Sequence, residues 1–290
     1  MSAFVKKHPA LSFFVLAVVL GATPLALADA GLIPIKFTQL GALSSSLAGV
    51  VLAAVAGGKG GVRELLRRGL VWRVGFGWWG FALLFTAVLA PATLWLGSLV
   101  GGAQVDWGAL GPIWRVVPML FVLILLAGVG EEFGWRGFLV PRLQARHNAL
   151  MSSLMIGVLH SLWHVPLFLV DGTAQSQWAQ EVGLLPAFLG YSVFVTAWAI
   201  QHTWVFNNTK GSVLLVAVVH GAGNAWIGGY FDVHGQAGMV GATCLTILMS
   251  IVSVAIVVIA GPTHLSRTNE RNKLETAQPG AQPDAENGAG

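Results

Sequence analysis

Met119-Leu120-Phe121-Val122-Leu123-Ile124-Leu125-Leu126-Ala127-Gly128-Val129-Gly130-Glu131-Glu132-Phe133-Gly134-Trp135-Arg136 is an apolar run that ends on two glutamates and an arginine. It lies in a hydrophobic stretch, residues 113–140, longer than the roughly 20 residues a helix needs to cross a bilayer. Runs of similar character cover residues 11–29, 32–56, 76–100, 149–170, 183–205, 211–229 and 238–261. None alternates strictly, so they read as helices and not as strands of a barrel. Hydrophobic residues make up 55% of the chain and charged residues 10%, too few charges to cover a soluble surface. The expected fold class is therefore all-α: a polytopic transmembrane bundle of eight spans.

Charge sets an orientation. With eight spans, fourteen of the sixteen Lys and Arg residues fall on the side that holds both termini and the 57–74 loop, against Lys36 and Arg115 on the other. By the positive-inside rule both termini are cytoplasmic; the expected location, apart from that rule, is a bacterial plasma (inner) membrane. This distribution accounts for the net charge of +4 without a nucleic-acid partner. The partner it implies is the bilayer, and the sequence carries no sign of oligomeric state. Ala26-Leu27-Ala28-Asp29-Ala30 resembles a signal-peptide cleavage site, but the run before it is long for a signal and reads as a retained span.

Three regions are expected. Residues 1–112 form a three-span N-terminal region whose basic loop 57–74, with Leu65, Leu66, Leu70 and Val71 in an amphipathic pattern, lies on the inner leaflet. Residues 113–262 form the membrane core. Residues 263–290, nearly free of large apolar side chains, read as a disordered cytoplasmic tail. The single cysteine, Cys244, excludes a disulfide framework within the chain.

Ionisable side chains inside a membrane are costly and mark function. Here they concentrate in three spans, as Glu131, Glu132 and Arg136, as His160 and His164, and as His220 and Asn224. Glu132/Arg136, His160/His164 and His220/Asn224 are each four apart and so share a helix face. Three such stripes are best satisfied around one cavity. Glu131 and His164 both stand roughly 22–24 Å along their helices from the turn at Arg146-His147-Asn148. The site is expected inside the membrane, reached from a lateral or cytoplasmic opening. His202 reads as structural, and His8, His147, His234 and His264 as solvated.

A carboxylate among imidazoles can activate water directly as a general base, with His220 and Asn224 donating to a developing oxyanion. It can also act with a metal, since His160, His164, His220 and Glu131 are donors that zinc accepts. The HxxxH spacing is half of the HExxH motif, with Glu missing from the second position.

These motifs resemble the CPBP family, the CAAX proteases and bacteriocin-processing (Abi) membrane proteins. EExxxR matches Glu131, Glu132 and Arg136. An aromatic residue followed four positions later by His, often as WHxP, matches at Trp163-His164-Val165-Pro166, with His160 in the place of the usual aromatic. Read from Ile156 instead, His160 is the match, and the Pro166 context favours His164. HxxxN matches His220 and Asn224. The resemblance is specific over residues 113–229. It implies an intramembrane endopeptidase acting on a peptide or protein tail presented at the bilayer, with Glu131 and the second-motif histidine activating water and His220 and Asn224 stabilising the oxyanion. Zinc is implied only where family members are described as metalloproteases. Two other readings fit the same residues: a non-catalytic immunity or scaffold protein, and a proton-coupled transporter.

Overall fold

The computed structural model describes residues 2–266. Among them there are helices and turns and no strands. Eight helices are long and apolar enough to span a membrane: α1 (Pro9–Asp29), α2 (Ile35–Arg68), α3 (Phe76–Gly101), α4 (Ile113–Gln144), α5 (Ala149–Leu169), α6 (Leu184–Asn208), α7 (Val213–Tyr230) and α8 (Val233–Ala260). The chain is the all-α polytopic bundle that its apolar runs imply, and an integral membrane protein.

Two boundaries differ from the sequence reading. The basic segment expected as a loop from residue 57 is instead the end of α2, which bends at Gly58 (φ 58°) and continues to Arg68. A positive φ at this position costs glycine little. Past the bend Leu65 is buried, while Leu66 and Leu70 remain exposed. At the other end of the chain, residues 262–266 are tied down. Ala149 N donates to Thr263 O at 2.9 Å and Leu150 N to Pro262 O at 3.0 Å, while Asn208 Nδ2 donates to Leu265 O at 2.8 Å. The rest of the expected tail, residues 267–290, lies outside the described residues.

The first spans share a core with the fourth. Phe13 of α1 packs edge-on against Trp135 at 4.8 Å and stacks on Phe138 at 5.9 Å. Close approach needs small residues, as membrane helix contacts generally do. A Cβ on Gly134 would lie 2.1 Å from Ser45 O of α2, and one on Gly128 would lie 2.1 Å from Ala217 O of α7. Buried Phe138, Leu139, Val140, Val213 and Val216 fill the bundle at the end where α4 turns into α5. Ser212 Oγ donates to Val71 O at 2.6 Å and Gln144 Nε2 to Asn207 Oδ1 at 3.2 Å across that same end.

α4 is not a uniform helix. π-helical turns at Ile124–Val129 and Phe133–Leu139 flank the short α-helical segment Gly130–Glu132. A third π stretch, Ala225–Tyr230, begins directly after Asn224. Single π turns are rare and recur at functional sites. Ser46 Oγ of α2 donates to Val129 O at 2.7 Å, where the first π turn meets Gly130.

Candidate active site

Between the two π turns of α4, two adjacent carboxylates have different surroundings. Glu131 lines a cavity of about 920 Å³, and Glu132 does not. Glu132 is fully buried, and its Oε1 accepts from Arg136 Nη1 at 3.0 Å and from His220 Nδ1 at 2.7 Å. Glu131 Oε2 is instead 2.9 Å from His160 Nε2. Since an ionised carboxylate only accepts, the imidazole donates in that state.

The three polar stripes converge as their spacing requires. Glu131, Arg136, His160, His164, His220 and Asn224 all line the one cavity. Trp135 stacks on His160 at 4.5 Å with rings 27° apart, which fixes the imidazole plane. His164 is also on the cavity but is turned elsewhere. α-Helical geometry ends at Trp163, and His164 caps it, its Nδ1 2.8 Å from His160 O. Thus the histidine in the Trp-His-Val-Pro context is not the one bonded to Glu131. Its ring is held by the same carbonyl that accepts the His164 backbone N–H at 3.3 Å.

His202, expected from sequence to be structural, stands beside the candidate site. It is buried on the cavity wall, stacked on Trp198 at 5.3 Å and 5.4 Å from the His220 ring. The available signal was its spacing of four from Trp198, the same one that marks the three polar pairs. His234, read as solvated, lies at the cavity mouth with Nε2 3.3 Å from Glu181 Oε1.

The zinc set expected from sequence does not assemble. Among the described residues, the group whose donor atoms all lie within 4.8 Å of one another is Glu132, His202 and His220. It contains only His220 of the four candidates His160, His164, His220 and Glu131. The donor types suit zinc, and Glu132 Oε2 and His202 Nε2 are buried without a hydrogen-bond partner among the described residues. The charge does not suit it. The group's one carboxylate is already held by Arg136, whose guanidinium stays protonated and would face the dication.

Of the two expected openings, lateral and cytoplasmic, the one at the basic, expected cytoplasmic end finds no support in the cavity's lining. No residue of the 69–75, 145–148 or 209–212 connections lines it, because the core described above fills the bundle at that end. It runs to the opposite end, past Lys36 and Gln39, Thr173 and Gln177, and Asp232 and His234. Thr173 Oγ1 caps the helix Ala174–Val182 through Ser176 N at 3.1 Å and donates to Leu167 O, which fixes this part of the rim.

A buried carboxylate–imidazole pair on an intramembrane cavity is costly to place there and marks a candidate functional site. Residues 113–226 match the family model described as type II CAAX prenyl endopeptidase Rce1-like. Over 106 residues the chain is 34% identical to CAAX prenyl protease 2 of Methanococcus maripaludis. That alignment covers 36% of this chain and 37% of the relative, so the chain matches little more than a third of that protein's length. This segment carries all three motifs, and over it the chain is similar to the CAAX protease family.

Proposed function

We propose that this protein is an intramembrane endopeptidase that hydrolyses a peptide bond with a water activated by Glu131. The observation that carries the reading is the division of labour between the two glutamates. Glu131 is on the cavity and held by one imidazole, while Glu132 is turned away and engaged by Arg136 and His220. The matched relative is named a CAAX prenyl protease, and a protease of this kind takes a peptide or protein tail at the bilayer.

His160 occupies Glu131 Oε2 and leaves Oε1 for a water. Glu131 removes one proton as the water oxygen attacks the scissile carbonyl carbon. The carbonyl oxygen gains the negative charge. His220, its Nδ1 committed to Glu132, presents Nε2 to the cavity, and as imidazolium it donates from both nitrogens. Asn224 supplies a second donor from the next turn of α7. Glu131 then delivers its proton to the departing amine nitrogen as the C–N bond breaks. His164 and His202 act on this scheme by packing and orientation, His202 through its ring contact with His220.

Purified protein assayed against a quenched peptide library tests the proposal. Wild type is expected to cleave and Glu131→Gln to be inactive while keeping its fold. Cleavage that survives Glu131→Gln overturns the role of Glu131. A cellular phenotype that persists in both Glu131→Gln and His220→Ala assigns the protein to the non-catalytic immunity or scaffold reading instead.

A further inference from the structure

The basic segment that closes α2 carries its charge in an ordered arrangement. Beyond the bend at Gly58, Lys59, Arg63 and Arg67 stand four apart and form one stripe of the helix surface. Val62 and Leu66 form the adjacent stripe, and Leu70 extends it into the turn that follows. Both stripes line a single surface groove of about 700 Å³. The groove is open to its surroundings: Leu66 is 49% and Leu70 74% exposed, and the three cations are exposed as well.

The opposite face of the segment is fixed to the bundle. Leu65 is buried with its side chain on Gly137 of α4, and a Cβ on Gly69 would run into the Phe133 ring. The other arginines at this end are engaged. Arg68 bonds Glu64 at 2.9 Å, Arg142 Nη1 donates to Phe138 O at 2.7 Å, Arg146 Nη1 donates to Lys7 O at 3.3 Å, and Arg73 lies 5.1 Å from the Trp72 ring centroid. Lys59, Arg63 and Arg67 have no hydrogen bond, ion pair or ring contact among the described residues. Three uncommitted cations therefore lie beside exposed leucines on a helix whose other side is anchored.

A charge bias that orients spans requires only that cations lie on one side. It does not require them to be aligned along an apolar strip in one groove. That juxtaposition suits an amphiphile with an anionic head. We propose that this groove binds an acidic phospholipid of the phosphatidylglycerol type, its phosphodiester on Arg63 and Arg67 and an acyl chain along Val62, Leu66 and Leu70. Arginine meets phosphate oxygens with a planar fork of donors. Lys59 and Arg67 are eight residues, or about 12 Å, apart along the helix, which leaves room for one phosphate and its glycerol. A choline headgroup would set its ammonium against the same cations and bind less well. None of these residues lines the cavity, so the lipid site stands apart from the peptidase reading.

Titration of the purified full chain in a neutral detergent with short-chain phosphatidylglycerol, read by native mass spectrometry and by the shift in unfolding temperature, tests the site. Binding is expected to be at least tenfold tighter than that of phosphatidylcholine of the same chain length. A cation beside an anionic headgroup contributes about fivefold, so Arg63→Gln with Arg67→Gln is expected to weaken phosphatidylglycerol binding at least tenfold. Lys6→Gln with Lys7→Gln removes the same charge outside the groove at the same end of the bundle, and is expected to change binding less than twofold. Leu66→Gln with Leu70→Gln leaves the cations in place and is expected to weaken binding about fivefold or more. Equal binding of the two lipids, or an equal loss in the Lys6/Lys7 variant, overturns the proposal. So does full competition by glycerol phosphate at the same concentration, which would make the groove a site for a soluble anion. If the arginine variant does not fold, wild type carries the test. Raising salt from about 50 to about 500 mM is expected to weaken phosphatidylglycerol binding at least tenfold and phosphatidylcholine binding less than twofold, and salt-independent binding overturns the proposal.

Discussion

His160, four residues before the histidine of the Trp-His-Val-Pro context, is the imidazole that bonds Glu131, with Nε2 2.9 Å from Oε2. His164 donates its Nδ1–H to the backbone of His160 at 2.8 Å instead. Position 160 is where the family resemblance leads one to expect an aromatic ring, and here the ring stacks on Trp135 as an aromatic would. A single side chain thus supplies both the packing and the polar contact. His160→Phe keeps the stack and removes the bond, whereas His164→Phe leaves the Glu131 contact untouched. Peptide cleavage is expected to fall by 10²–10⁴-fold in His160→Phe, the range for a lost proton-transfer partner, and at least tenfold less in His164→Phe. Equal losses, or the reverse order, would assign the role to His164.

Glu131→Gln is close to isosteric and retains an acceptor for His160. Cleavage is expected to drop by at least 10²-fold, with the melting temperature in detergent within a few degrees of wild type. A variant that retains a tenth of the activity would show that Glu131 is not the base.

Glu132 calls for the opposite expectation. It is 0% exposed and its Oε1 is shared by Arg136, itself 1% exposed, and by His220. Removing one partner of a buried ion pair strands the other charge at a cost of about 3–5 kcal/mol. Glu132→Ala is therefore expected to lower stability by that amount, read by denaturant or thermal unfolding in detergent. Glu132→Ala with Arg136→Met should recover most of the loss without recovering cleavage, because His220 still lacks its orienting carboxylate. Full stability in the single variant would mean that Arg136 finds another partner.

Much of this arrangement could be read from the residues. Long apolar runs fix the eight spans, and spacing of four puts Glu132 with Arg136 and His220 with Asn224 on shared faces. The rest depended on features that a 3.6-residue period does not carry. Glu131 and Glu132 are consecutive, and which of them meets the cavity depends on the rotation of a helix that carries π turns on both sides of Gly130–Glu132, turns that a pattern of apolar residues cannot distinguish from α-helical ones. The place of His202 on the cavity wall was not legible because it stands alone near the end of its span, and its contact with His220 joins helices rather than neighbours in sequence. That the cavity runs away from the basic end depends on how Phe138, Val140 and Val213 fill space between helices, which no single span carries. The bend at Gly58 hid the helical continuation of the basic segment.

The α4–α7 contact is set by backbone approach. A Cβ on Gly221, the residue after His220, would lie 2.3 Å from Ile124 Cα and 2.4 Å from Ile124 N. Backbone cannot swing aside as a side chain end can, so Gly221→Ala must separate the helices. Overpacking of this kind costs about 1–3 kcal/mol. Because His220 crosses the same interface to Glu132 at 2.7 Å, cleavage is expected to fall more than tenfold even where the protein remains folded. Gly80→Ala, at a position of α3 away from the cavity with nothing within 4 Å of the added Cβ, serves as the neutral control. Wild-type cleavage by Gly221→Ala would show that this contact does not position His220.

Metal dependence follows from charge at Glu132. A zinc ion on Glu132, His202 and His220 would displace or oppose the Arg136 guanidinium 3.0 Å from the same carboxylate, and at an effective dielectric of 20 two unit charges 4 Å apart already cost about 4 kcal/mol. Glu131 and His160 stand outside that group and hold each other without a cation. Exhaustive dialysis against a chelator is expected to leave cleavage within twofold of the untreated protein, and His202→Gln, which removes one zinc donor, to leave measurable activity. If cleavage is instead lost on chelation and restored by stoichiometric zinc, the guanidinium must move on metal binding, and Glu132 would become a ligand in place of an anchor.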